Sequence, residues 1–217
     1  MTAQQALKAA LRDVLGPRAR AQGFRGSAPT WRKSTPEGDW AVVNVQSSIS
    51  STAEHLKCII NVAVAPEPWL RWESALLGSA TSRTVSEASG LYRDRISPAG
   101  GPPDHETWWE VTDDASALSA VADMVSQLEV SGWPILDRLL RPGGMLSQIR
   151  LGSLGHVKGD GIAVSLARAE ALLLMDRGPS AELGERLQFA LDNCAPMKRE
   201  STTRFVAWVR EQAQSAR

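Results

Sequence analysis

Only two cysteines occur in this 217-residue chain, Cys58 and Cys194, 136 positions apart. So few exclude a disulfide-dense scaffold, and the spacing fits no paired-cysteine zinc pattern. Two free thiols in a reducing, cytoplasmic compartment are expected. Long hydrophobic runs are missing too. The longest apolar stretches fall well short of the ~20 residues a membrane helix needs, so no membrane segment is expected. The opening residues carry Lys8, Arg12 and Asp13 where a secretory signal would be apolar.

Histidine is scarce, and His55, His105 and His156 lie far apart. Neither His55 nor His156 has a companion at ligand spacing, and neither a metal nor a cofactor is expected. No Gly-x-Ser-x-Gly elbow occurs, and Ser86 and Ser89 have no identifiable base. Gly155 to Gly161 is glycine-rich around Lys158 but lacks the Walker spacing and its strand-then-helix context. It reads as a flexible connection.

An excess of one charge is also lacking, since 24 basic and 24 acidic groups give a formal net charge of zero. General nucleic-acid binding, which depends on neutralising phosphates, is thereby ranked last, with Arg18, Arg20, Arg25, Arg32 and Lys33 as its only candidate patch. The charges are nevertheless segregated. Residues 1–36 hold Lys8, Arg12, Arg18, Arg20, Arg25, Arg32 and Lys33 against one acid, Asp13. Between Arg95 and Arg138 no Lys or Arg occurs, while Asp104, Glu106, Glu110, Asp113, Asp114, Asp123, Glu129 and Asp137 do. The two regions either make the molecule dipolar or face one another.

What is present is enough apolar sequence, 43%, for a sizeable core. Eight tryptophans stand against one tyrosine and three phenylalanines. Each buries a large area with a single N–H to satisfy, which suits core anchors. Trp40 to Gln46 and Leu56 to Ala65 alternate: Leu56, Cys58, Ile60, Val62 and Val64 fall on one face of a strand. Pro36-Glu37-Gly38-Asp39 is a tight-turn signature. Strands are expected at 28–34, 40–48, 56–65, near 90–96 and at 107–111. Helical spacing predicts a first helix from an N-cap at Thr2 to Leu15, kinked or ended at Gly16-Pro17, with Gly23 and Phe24 closing the following turn. A short helix is expected at 69–77, and Thr112 or Asp113 caps another at 114–130. Gly132-Trp133-Pro134 separates that helix from one carrying Ile135 to Leu140. Further helices follow at 162–176, 180–193 and 200–213.

Strands in sequence joined by short turns pair antiparallel, and helices segregated from them define an α+β fold. The expectation is an antiparallel meander packed by the N-terminal helix and the mid-chain helix, with an all-helical C-terminal tail. Residues 1–145 would form the α+β domain and residues 146–217 a helical extension packed on it.

Several of these segments resemble one family. They are the leucine-spaced first helix ending at Gly23-Phe24, Trp31-Arg32-Lys33, Val43-Asn44-Val45-Gln46, Asn61 within an apolar strand, Arg95-Ile96, Trp108-Trp109 before an acidic cap, and Gly132-Trp133-Pro134. Together, over residues 3–141, they resemble the bacterial domain-of-unknown-function family 4304. The resemblance implies a fold and no activity.

On the sheet, Trp40, Asn44, Gln46 and Asn61 share the face opposite the apolar one, with Lys57 as a neighbour. An aromatic and amides there can recognise a peptide, a base or a protein by stacking and hydrogen bonding. The competing expectation is that they pack beneath the C-terminal helices. Asp104-His105-Glu106 is the one tight titratable cluster. Its chemistry suits a metal or acid/base site, but adjacent residues of an extended chain point apart, so a solvated loop is expected, with a ligand pocket between the sheet and the tail, flanked by Arg93 or Arg95, as runner-up. The functional expectation is a non-catalytic binding protein, toxin-neutralising or otherwise antagonist-binding. It would act through segregated charge, including Asp113 and Asp114, and Trp-bearing surfaces. Another protein or a small ligand is the expected partner, and a homo-oligomer stays open. The alternative is a small-ligand receptor or hydrolase with a pocket near Asp104, His105 and Glu106.

Overall fold

The structure is a computed structural model, and it describes residues 2–78, 84–101, 106–156, 159 and 161–216. Helix α1 (Ala3–Ala10) opens on a capping box. Thr2 Oγ1 accepts from the Gln5 N–H, and Gln5 Oε1 accepts from the Thr2 N–H at 3.0 Å. The helix does not end at Gly16-Pro17. A π-turn, Leu11–Leu15, carries it into α2 (Gly16–Ala21), and the Gly16 N–H reaches back five residues to Leu11 O. Proline lacks an N–H and clashes with the carbonyl four residues earlier; the wider π-turn relieves both problems. Beyond α2, Phe24 N–H bonds Ala19 O at 3.0 Å and the Phe24 ring is buried, as the Gly23-Phe24 pattern predicts.

The expected strand at 28–34 is a hairpin, β1 (Arg25–Ser27) and β2 (Thr30–Ser34). The Ala28-Pro29 turn between them takes the two residues that the sequence reading had placed in the strand. β3 (Trp40–Ser47), β4 (Leu56–Ala65), β5 (Tyr92–Ile96) and β6 (Trp109–Val111) complete an antiparallel sheet in the order β1-β2-β3-β4-β5. β6 lies beside the Leu56 end of β4 and β5 beside the remainder.

One face of the sheet carries Trp31, Val43, Val45, Cys58, Ile60, Val62 and Val64. They form a core with Leu7, Leu11 and Leu15 and with α4 (Asp114–Gln127), whose Val121 and Met124 are fully buried. α1 and α4 lie side by side through their apolar stripes, and the basic and acidic regions meet at one ion pair among the described residues. Across them Lys33 Nζ pairs with Asp137 at 2.8 Å. The second proline junction repeats the first: the π-turn Leu128–Gly132 joins α4 to α5 (Trp133–Leu140), with the Trp133 N–H on Leu128 O. The expected break at Gly132-Trp133-Pro134 is thus a continuous, widened helix.

The opposite face is covered at one end by α3 (Glu67–Leu77) and the segment 84–90. Val42, Ala63 and Ala65 meet Leu70 and Val85 there, and Trp69 Nε1 donates to Ser89 O at 2.9 Å. The C-terminal helices do not form this cover. α6 (Gly144–Arg150), which sequence spacing missed because it follows Pro142-Gly143 directly, leads to α7 (Ile162–Met175), α8 (Ala181–Asn193) and α9 (Arg199–Ser215). α7 packs on α3 and α6, and a second core joins Trp72 of α3 and Leu146 of α6 to Leu172, Leu187 and Phe205. In the other direction Met145, Ile149, Leu154 and Ala169 enter the first core. Hydrophobic contacts therefore cross residue 145 both ways.

Before α7 the chain seals the free edge of β5. His156 N–H donates to Arg93 O at 2.8 Å, and Arg93 N–H to Leu154 O at 3.2 Å. Gly155 makes this possible: its φ is +82°, and a Cβ there would stand 1.9 Å from Arg93 O.

Candidate functional site

The outer face of the sheet, beyond the α3 cover, carries a chain of hydrogen-bonded side chains. Asn44 lies opposite Asn61 in the β3–β4 register, and Asn61 opposite Arg95 in β4–β5. Asn44 Nδ2 donates to Thr30 Oγ1 at 2.8 Å. Asn61 is buried, at 7% exposure. Its Nδ2 donates to Gln46 Oε1 at 2.7 Å, while its Oδ1 accepts from Arg95 Nε at 3.3 Å. Arg95 Nη1 then donates to Glu106 Oε1 at 2.5 Å. A buried amide thus orients an exposed amide, Gln46, and an exposed guanidinium, Arg95. Both keep further N–H donors to offer. Nearby on this face Glu110 accepts from Lys57 Nζ at 2.9 Å and from His55 Nε2 at 3.0 Å. Lys57 above all, then His55, holds the Glu110 carboxyl below its ordinary range.

Of the residues singled out from the sequence, Asn44, Gln46, Asn61 and Arg95 come together, with Glu106. The others do not. Trp40 shares the face but packs at its covered end against the Val42–Ala63–Ala65 cluster. Arg93 gives its main chain to the seal of the β5 edge. Asp113 is the N-cap of α4: its Oδ1 accepts from Ser116 N–H at 2.8 Å and from Ser116 Oγ at 2.7 Å, and these bonds depress its pKa. Asp114 sits exposed in the first turn, where the helix dipole favours a carboxylate. Asp123 accepts from Trp109 Nε1 at 2.8 Å. Asp104 and His105 lie outside the described residues. Arg32 and Lys33 are drawn inward, Arg32 Nε donating to Val85 O at 2.5 Å and Lys33 pairing with Asp137. That divides the expected basic patch.

The tryptophans behave as core anchors. Trp31, Trp72, Trp109 and Trp133 are buried and Trp40, Trp69, Trp108 and Trp208 are half-buried. Cys58 is buried too, and burial pushes its thiol up to about 12.

Two hollows flank these elements. One, of about 240 Å³, lies between the sheet and the tail, lined by Glu37, Asp39, Glu67, Arg141 and Asp176 among others. Arg71 bridges its walls, Nε to Glu67 at 2.8 Å and Nη2 to Asp176 at 2.5 Å. Neither Arg93 nor Arg95 is among its lining residues. The second, of about 460 Å³, opens between α1 and the far end of β3, with Leu7, Lys8, Leu11, Val45, Ser47 and Leu56 in its lining. Sequence reading missed it. The available signal was Pro29, which removes a ladder donor beside β3. Among the described residues no group of three or more His, Cys, Asp or Glu is placed to hold a metal, and no helix is long and apolar enough to cross a membrane.

These features define an α+β protein with a half-covered antiparallel sheet, a polar array on its open end and a helical layer beyond α3. Residues 15–138 match the family described as "Domain of unknown function (DUF4304)", and the chain belongs to that family. No curated protein and no solved structure matches the chain.

Proposed function

We propose that this is a non-catalytic binding protein of the bacterial cytoplasm, toxin-neutralising or otherwise antagonist-binding, whose recognition surface is the polar end of the outer sheet face. The observation that carries the reading is the Gln46–Asn61–Arg95 relay. Asn61 is buried with its amide nitrogen and oxygen each bonded once, while the two side chains it orients are exposed. Donors held in place before contact lose little rotamer entropy on binding, which is how polar groups contribute specificity. Segregated charge supports the reading less than the sequence suggested. Asp113 and Asp123 hold the fold, and Lys33 and Asp137 neutralise each other.

The test compares wild type with Gln46→Ala/Arg95→Ala. Both side chains project from the surface, so the variant should keep the wild-type circular-dichroism spectrum, while its melting temperature should fall because buried Asn61 loses both partners, a cost of about 1–3 kcal/mol. A partner captured from native lysate by the wild type should bind the variant roughly thirtyfold more weakly, the loss of about 2 kcal/mol from charge-assisted hydrogen bonds. Equal affinity of the two proteins, or no capture by either, would sink the proposal.

A further inference from the structure

On the side away from β4, the far end of β3 is a strand edge with nothing paired to it among the described residues. Thr30 lies opposite Asn44, and β2 ends there. One step on, Val45 N–H still donates to Pro29 O at 2.9 Å. The return bond cannot form, because Pro29 has no N–H, so the Val45 carbonyl is left facing the edge. Main-chain groups alternate sides along a strand, which turns the N–H and C=O of Ser47 to the same side as those of Val45. Even-numbered positions bond β4, as the Ser48 N–H to Lys57 O bond at 2.8 Å marks.

This edge forms one wall of the 460 Å³ hollow, and Leu7 and Leu11 of α1 form the other. A neighbouring hollow lined by Gln5, Lys8, Arg12 and Ser27 shares Lys8 and Ala28 with it, so the two make a groove along α1. The charged residues lining it are Lys8 and Arg12, with no carboxylate among them. Lys8 is exposed and has no ion-pair partner among the described residues. Arg12 is held by Asp13 at 2.7 Å.

We infer that this groove receives an extended, acidic segment of a partner protein, which adds a short strand to the Val45–Ser47 edge. Main-chain bonds to Val45 O and to Ser47 N–H and O supply register. The apolar floor takes alternate side chains, and Lys8 and Arg12 take carboxylates. The inference rests on the binding reading above and names the chemistry of the partner. It concerns a surface that adjoins the Gln46–Asn61–Arg95 relay and shares Gln46 with it, while Asn61 and Arg95 lie outside the groove lining.

The probe is a display library of random twelve-residue peptides selected on the full-length protein. Enriched peptides should carry an excess of Asp and Glu over the unselected library, and their affinity, read by fluorescence anisotropy, should fall as salt rises. Ser47→Pro removes the edge N–H at a position whose N–H faces away from β4, and should weaken binding at least tenfold. Lys8→Glu should weaken it at least fivefold, and Arg95→Ala should leave it unchanged. In the wild type, peptide should slow hydrogen exchange at the Ser47 amide, a readout independent of how Ser47→Pro folds. Absence of any enriched peptide, enrichment of basic ones, or affinity indifferent to both variants with no protection at Ser47 overturns the inference. So does a wild-type dimer that Ser47→Pro dissociates, which would mean that the edge pairs with a second copy. Peptides lost on Arg95→Ala but not on Ser47→Pro would overturn the groove and leave the relay standing.

Discussion

Trp31 and Trp109 show how differently two buried tryptophans on one sheet can be held. Trp109 Nε1 reaches Asp123, whereas Trp31 Nε1, in a side chain with no exposed surface, has no partner among the described residues. A buried donor without an acceptor costs about 1–3 kcal/mol, so Trp31→Phe trades lost area for relief of that cost. Trp109→Phe loses both area and a bond to a carboxylate. In urea unfolding, Trp109→Phe should therefore lower the midpoint clearly more than Trp31→Phe. The thiols give a second check at this scale. With Cys58 pushed up to about 12 by burial, Ellman's reagent at mildly alkaline pH should titrate only Cys194 in the native protein and both thiols after unfolding. Asp113 adds a pH dependence. Its folded pKa is depressed, so the cap's contribution is present above the ordinary Asp value and is lost as pH falls through the lower folded one. Asp113→Ala should flatten that acid limb of a melting-temperature profile.

At the scale of elements, Asp39 and Glu67 show the opposite sign. Asp39 Oδ1 accepts from the Glu67 N–H at 2.8 Å, a cap supplied to α3 from the β2–β3 turn because Pro66, the N-cap residue, makes no side-chain cap bond. Burial dominates both carboxyls and raises their pKa. A raised folded pKa favours the protonated form, so the contribution is present below the ordinary carboxyl value and is lost as pH rises through the folded one. Asp39→Asn keeps an acceptor for Glu67 N–H and removes the desolvated charge. It should leave neutral-pH stability equal or higher and weaken its pH dependence, as read by chemical unfolding across the acid range. Element by element, the sequence was most legible where one period ran unbroken. The alternation at Leu56 to Ala65 has the observed bounds of β4, and the stripe at 162–176 gives α7. It misled where a backbone device overrode a local rule. Pro17 reads as a kink or an end and Pro134 as a separation, yet a π-turn ahead of each carries the helix through, and nothing in side-chain periodicity announces an extra residue in a turn. Among site residues, alternation alone put Asn44, Gln46 and Asn61 on one face. It could not say that α3 would claim Trp40, that Asp113 would be spent on a cap, or that Pro29 would leave a strand edge open.

For the whole molecule, the family match ends at residue 138, yet the first core does not, since Met145, Ile149, Leu154 and Ala169 belong to it. α3 is the reason the layers act together: Leu70 closes the outer sheet face and Trp72 enters the second core, where its ring meets Phe205 edge-on at 5.1 Å. The tail's grip on β5 depends on one backbone shape. Gly155→Val places a β-branched residue at φ +82° with Cβ against Arg93 O, so at least about 1–2 kcal/mol of stability should disappear, measured as a lower urea midpoint. That grip also governs what a shortened chain would do. Cut after residue 141, the protein would keep all six strands but lose the residues 154–156 that occupy the outer rim of Tyr92–Ile96. It would then offer a bare template to its own copies, and thioflavin T fluorescence should rise on standing in the fragment and not in the intact chain. Seen this way, the helical tail acts as a chaperone in cis, keeping the sheet from pairing with its own copies.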